Sequence, residues 1–226
     1  MGLFKKISKV ELFLAIACLL VALAFPPIGV LIGFIIVLVY LLVGKDHKEK
    51  FKSIGFRSPK DGWIKTVFLC LIYGILIEVS FQIVVNPVIE IITAAEVDLT
   101  AYDGIRNNFI NYLSVLLIGW VVGGFIEEIL FRGYLITRLS KLFQIEKAGN
   151  WFAIILTSLV FGFSHLYQGW SGVISTGLIS IIFGFIFIQH RKVIWYTILT
   201  HGFINTTALT LMWLDYDNIS EKLLFN

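Results

Sequence analysis

Residues 109–135 read FINYLSVLLIGWVVGGFIEEILFRGYL, a run without charge until Glu127-Glu128 and Arg132. Its length and apolarity suit a helix that crosses a bilayer. Ionisable groups at that depth cost ~2.5–3.5 kcal/mol each on insertion scales and usually serve a function. On a helix, Glu128 and Arg132 are i,i+4 neighbours with the acid first, the favourable order for an ion pair. Glu127 points about 100° away from Glu128. It therefore needs another partner or another task.

The rest of the chain extends this pattern. Of its 226 residues, 58% are hydrophobic and 15% charged, with mean hydropathy +0.89. A soluble domain carries about a quarter charged residues. The expected fold is all-α, a polytopic transmembrane bundle of about seven spans, with the lipid bilayer as partner and no nucleic acid. The spans fall at 10–25, 28–43, 64–93, 109 to about 141, 151–167, 173–188 and 193–214. Pro26-Pro27 separates the first two, and Asn86-Pro87 is expected to break the third. Residues 1–108 form amino-terminal helices with a polar loop at 45–63. Residues 109–214 form the core, and 215–226 a short tail. Lys5-Lys6 before an apolar run resembles a signal peptide, but the apolar run that follows at once fits a membrane hairpin better. Cys18 and Cys70 lie in apolar runs and read as small buried hydrophobes.

Charge sets the expected orientation. With the amino terminus in the cytoplasm and the spans alternating, all of the 18 Lys and Arg except Arg106 and Lys222 fall on the cytoplasmic side. The loop at 94–108, with Glu96, Asp98 and Asp103, and the carboxy terminus are then external. The chain reads as a multi-pass protein of the cell membrane.

Two further polar pairs lie at membrane depth. Phe161 and His165 are i,i+4 on the fifth span, and His201 and Asn205 on the seventh. At 1.5 Å per residue, Glu127 lies ~16 Å from Arg138, His165 ~22 Å from Asn150 and His201 ~13 Å from Lys192. These depths overlap, so one site open to the cytoplasm can hold all of them. In a dry pocket a carboxylate serves as general base on a water, and a histidine can share that water. His201 and Asn205 can donate hydrogen bonds to a carbonyl oxygen that gains charge. Glu127, His165 and His201 are also an ordinary Zn²⁺ ligand set, although no His-Glu-x-x-His motif is present. Gly119-x-x-x-Gly123 and Ser158-x-x-x-Gly162 read as ordinary close helix packing. Glu78 is a lone intramembrane acid that can line the cavity. His47 and His190 read as solvated.

Glu127-Glu128-x-x-x-Arg132, Phe161-x-x-x-His165 and His201-x-x-x-Asn205, in that order, resemble the CPBP family of CAAX-processing and bacteriocin-processing intramembrane endopeptidases, also called Abi. The resemblance covers roughly residues 111–207. It implies a helical membrane peptidase with a cavity open to the cytoplasm. Glu127 and His165 would activate the water, His201 and Asn205 would stabilise the oxyanion, and Glu128 and Arg132 would orient the site. Both a metalloendopeptidase using Zn²⁺ and a metal-independent glutamate peptidase have been argued for the family. The implied substrate is a membrane-associated peptide or protein: a CAAX protein, a pheromone precursor or a bacteriocin precursor. The alternative reading is a non-catalytic membrane regulator or bacteriocin-immunity partner. A transporter fits less well, because inverted repeats are not apparent.

Overall fold

The computed structural model describes residues 7–216, and every regular element in them is helical. Lys5, Lys6, Lys222 and nearly all of the tail expected at 215–226 lie outside the described residues. Helix α1 spans Lys9–Ala24 and starts on a capping box, in which Ser8 and Glu11 bond each other's backbone N–H. Helix α2 (Ile28–Leu42) follows after Pro26-Pro27 and packs back on α1. A short amphipathic helix, α3 (His47–Ser53), lies in the basic loop.

Helix α4 runs unbroken over Trp63–Thr93. The break expected at Asn86-Pro87 does not occur. A π-helical stretch at Phe81–Val85 directly precedes it, and a wider turn accommodates a proline that cannot donate to the ladder. After a 3₁₀ turn at Thr100–Ile105, α5 spans Phe109–Leu142. Asn108 caps α5 through its side chain, and π-helical turns occupy Gly119–Glu127 and Ile129–Ile136. Helices α6 (Glu146–Ser164), α7 (Gly169–Gln189) and α8 (Trp195–Trp213) complete the bundle.

All residues of Ile129–Ile136 are buried, so the second half of α5 forms the bundle's centre. Many large apolar side chains point outward instead, among them Phe13, Ile64, Ile91, Ile110 and Leu117. An apolar exterior around inward-facing polar groups is what a lipid solvent selects. Cys18 and Cys70 are buried and free, as expected.

Among the described residues, three helices are long and apolar enough to cross a membrane: α4, α5 and Leu166–Gln189. The expected seven are not reached by that measure. Helices α1 and α2 have 16 and 15 residues, while α6 and α8 are diluted by polar side chains.

Contacts define two ends. At one, Arg138 near the end of α5 bonds Ser53 and pairs with Glu11 of α1 at 2.7 Å, and Ile194 N–H donates to Gly55 O. At the other, Thr93 bonds Ser171, Asp98 N–H donates to Gln168 O, and Asn107 N–H donates to Trp213 O. Successive long helices therefore alternate in direction. The described basic residues cluster at the first end, and the loop at 94–108 forms the second.

His190 departs from expectation at the basic end. It is half-buried, stacked on Tyr196 with ring centroids 3.8 Å apart, and burial holds its imidazole below its ordinary value. A histidine following a helix and facing a tyrosine is shielded by the neighbouring helix, which sequence position does not reveal. His47 is exposed, as expected.

Candidate active site

The α5 ion pair forms as its spacing requires. Arg132 Nη1 donates to Glu128 Oε1 at 2.9 Å, with both side chains fully buried. Arg132 Nη2 donates to the carbonyl and hydroxyl oxygens of Ser180 on α7, at 3.2 and 2.8 Å. The guanidinium lies 4.8 Å from the Phe161 ring centre and 4.9 Å from that of Phe183. One side chain thus ties α5, α6 and α7 together by charge, hydrogen bonds and cation–π contact.

Glu128 has a second partner. His201 on α8 lies with Nδ1 2.9 Å from the same Oε1. An ionised carboxylate only accepts, so Nδ1 carries the hydrogen and Nε2 of the neutral ring is left as an acceptor. His165, at the end of α6, places Nδ1 2.9 Å from Phe161 O. A carbonyl also only accepts, so the His165 Nε2 is an acceptor as well.

Between these helices lies a cavity of about 390 Å³, and Glu127, Phe161, His165, His201 and Asn205 all line it. The four groups singled out from three separate spans therefore share one space. Glu127 is partly accessible, and none of the described residues hydrogen-bonds it. Its neighbour Glu128 is buried and does not line the cavity. Adjacent carboxylates thus have different surroundings, one fixed in an ion-pair network and one free to meet a ligand.

The conjunction of motif order and shared cavity agrees with comparison by sequence. Residues 109–207 match the family model described as type II CAAX prenyl endopeptidase Rce1-like. That family model belongs to the CPBP family. No curated protein and no solved structure matches the chain significantly.

The matched region contributes α5, α6, α7 and most of α8, the helices that carry all the motif residues. The structure changes the reading of its glycines. A Cβ on Gly123 would lie within 3.1 Å of both Asn205 Nδ2 and His201 Nε2, and one on Gly119 would crowd Asn205. These glycines make room for the polar side chains of α8, beyond ordinary helix packing. Gly162 does serve packing, since a Cβ there would strike Val173 O of α7. Asn205 Nδ2 also donates to Gly119 O at 2.8 Å, which fixes its carboxamide beside the cavity. Gly123→Ala should therefore lower turnover at least ~10-fold, while thermal stability shifts little. Purified protein assayed for both properties checks this; unchanged turnover would return Gly123 to a packing role.

Among the described residues, no three His, Cys, Asp or Glu side chains come together as a metal-ligand group. The donor chemistry of Glu127, His165 and His201, which line one cavity, nevertheless suits Zn²⁺.

Sequence reasoning missed several lining residues. Gln82 lines the cavity and donates from Nε2 to the buried Glu78 at 3.0 Å, whereas Glu78 itself does not reach the cavity. The i,i+4 spacing of Glu78 and Gln82 was the available signal. Tyr102 and Tyr167, whose hydroxyls are 3.3 Å apart, line it near the second end. Beside Tyr102, Thr100 donates two hydrogen bonds to the Asp98 carboxylate and holds it below the usual carboxylate range.

The cavity mouth also corrects an expectation. Its lining includes Leu99, Tyr102, Tyr167, Gln168, Leu209 and Met212, all from the end that carries the 94–108 loop. None of its lining comes from the basic loops. The lining thus extends to the end opposite the basic one, whereas the sequence reading expected an opening toward the basic end. Distances counted along helices gave a common depth but not the direction in which the space opens.

Proposed function

We propose that this chain is an intramembrane endopeptidase in which Glu127 activates a water for attack on a peptide bond. The observation that carries this reading is the single cavity that collects Glu127, His165, His201 and Asn205 from three helices. Glu127 takes a proton from the water while the water oxygen bonds the carbonyl carbon. The carbonyl oxygen becomes an oxyanion, and the proton passes to the departing amine as the C–N bond breaks. No step requires a metal, and no nucleophilic Ser or Cys is needed.

The tautomers refine the roles of the other groups. His165 Nε2, an acceptor, is suited to receive the second hydrogen of the water and hold it facing the carbonyl. His201 Nε2 can donate to an oxyanion only as imidazolium, and Glu128 stands at its Nδ1 to balance that charge. Asn205 has one N–H committed to Gly119, and its second can donate into the cavity. Seven spans alternate across the membrane in this reading, with the basic end in the cytoplasm. The substrate is a membrane-associated peptide or protein.

Loss of one oxyanion donor in other enzymes costs ~10²–10³ in rate. Asn205→Ala should fall in that range and be the mildest of the four site substitutions. Glu127 and His165 substitutions should be at least as severe as His201 substitutions. Hydrolysis rates of the four purified variants test this order; if Asn205→Ala proved the most damaging, the oxyanion role would pass to another group. Undiminished activity in all four would leave a membrane partner without catalysis as the reading to pursue.

A further inference from the structure

The charge pattern and the cavity together point to a side of approach. The lining lies in the half of the bundle next to the 94–108 loop: Gln82 in the last part of α4, His165 at the end of α6, Thr176 near the start of α7, and Leu209 and Met212 near the end of α8. Glu127 and His201 form the floor, because they are the lining residues of α5 and α8 nearest the basic end. Lys/Arg bias assigns that basic end to the cytoplasm. The mouth then faces away from the cytoplasm.

Chemistry narrows what can enter. Apart from Glu127, the lining has no acidic residue, and it has no Lys or Arg at all. A free carboxylate brought to this depth would meet no Lys or Arg to pair with. The walls are mostly apolar, and the lining residues Pro27 and Ile118 are exposed at the surface of the bundle. Ile118 lies ~14 Å along α5 from Phe109 at 1.5 Å per residue, well inside the bundle's length. Such a space is open to a chain that is itself held in the bilayer.

We propose that the substrate is an uncharged, internal stretch of a membrane-anchored chain, entering from the face opposite the cytoplasm. A free carboxy-terminal tail presented from the cytoplasm fits neither the mouth nor the lining. This inference rests on the peptidase reading and on the orientation set by charge.

Two measurements on the full chain in cells separate these layers. Ser58→Cys marks the basic end and Ala101→Cys the loop at the mouth, both at exposed positions. A membrane-impermeant maleimide applied to intact cells should label Ala101→Cys and spare Ser58→Cys until lysis. The reverse result would turn the mouth to the cytoplasm and overturn the inference, leaving the peptidase reading intact. Next, new amino termini in the membrane proteome are compared between wild type and Glu127→Gln at matched protein levels. Asn205→Ala serves as a second low-activity variant. Termini lost in both variants should map to the non-cytoplasmic ends of membrane spans, many residues from any carboxy terminus. Cuts within cytoplasmic tails would overturn the inference alone. An identical set of termini in all three strains would remove the peptidase reading and this inference with it.

Discussion

Glu127→Gln should abolish hydrolysis while leaving a folded, membrane-inserted protein. The substitution keeps the shape of the side chain and removes its ability to take a proton. General-base catalysis is worth on the order of 10²–10⁴ in rate, so a loss of that size is expected. Folding should be spared because Glu127 borders the cavity and is hydrogen-bonded by none of the described residues. Its neighbour carries the structural charge. Glu128→Gln should instead weaken the bonds to Arg132 and His201 and reduce stability. Rates measured beside detergent unfolding curves would separate the two acids. Equal losses of stability would mean that Glu127 belongs to the ion-pair network after all.

Arg132→Ala should be the most destabilising single change. It removes the guanidinium from a fully buried carboxylate and leaves His201 as its remaining partner, and it removes both hydrogen bonds to Ser180 and the cation between Phe161 and Phe183. Breaking a buried pair by deleting one partner costs ~3–5 kcal/mol, because the remaining charge is left without compensation. That is a large share of the stability of an ordinary domain. Combining Glu128→Gln with Arg132→Met should recover much of the lost abundance, since neither residue then holds an unpaired charge. Activity should not recover, because His201 Nδ1 loses its carboxylate partner. Wild-type stability of Arg132→Ala would show that the pair is not a structural element.

The i,i+4 pairs were legible because polar side chains at membrane depth stand out against an apolar background, and helical spacing fixes which share a face. The helical class followed from long apolar runs that no soluble core of this size would need. Contacts between helices were less accessible. Nothing in the local sequence links His201 to Glu128, 73 residues apart, or Arg132 to Ser180. Pro87 read as a break because a proline inside an ordinary α-helix is costly; the π-helical stretch before it is a backbone adjustment with no clear residue signature. The direction of the cavity mouth was likewise hidden. It depends on how far each helix leans from the others, whereas counting residues gives only distance along a helix. Gly123 shows the same limit, since its neighbours across the gap belong to α8.

In the proposed mechanism Glu127 activates a water without a metal. The most direct test of this step is the rate of peptide hydrolysis by purified wild-type protein stripped of metal by exhaustive chelation, with metal content verified. Full activity in the metal-free protein, absent from Glu127→Gln prepared in the same way, is the predicted result. Activity abolished by chelation and restored by one equivalent of Zn²⁺ or Co²⁺ would contradict it.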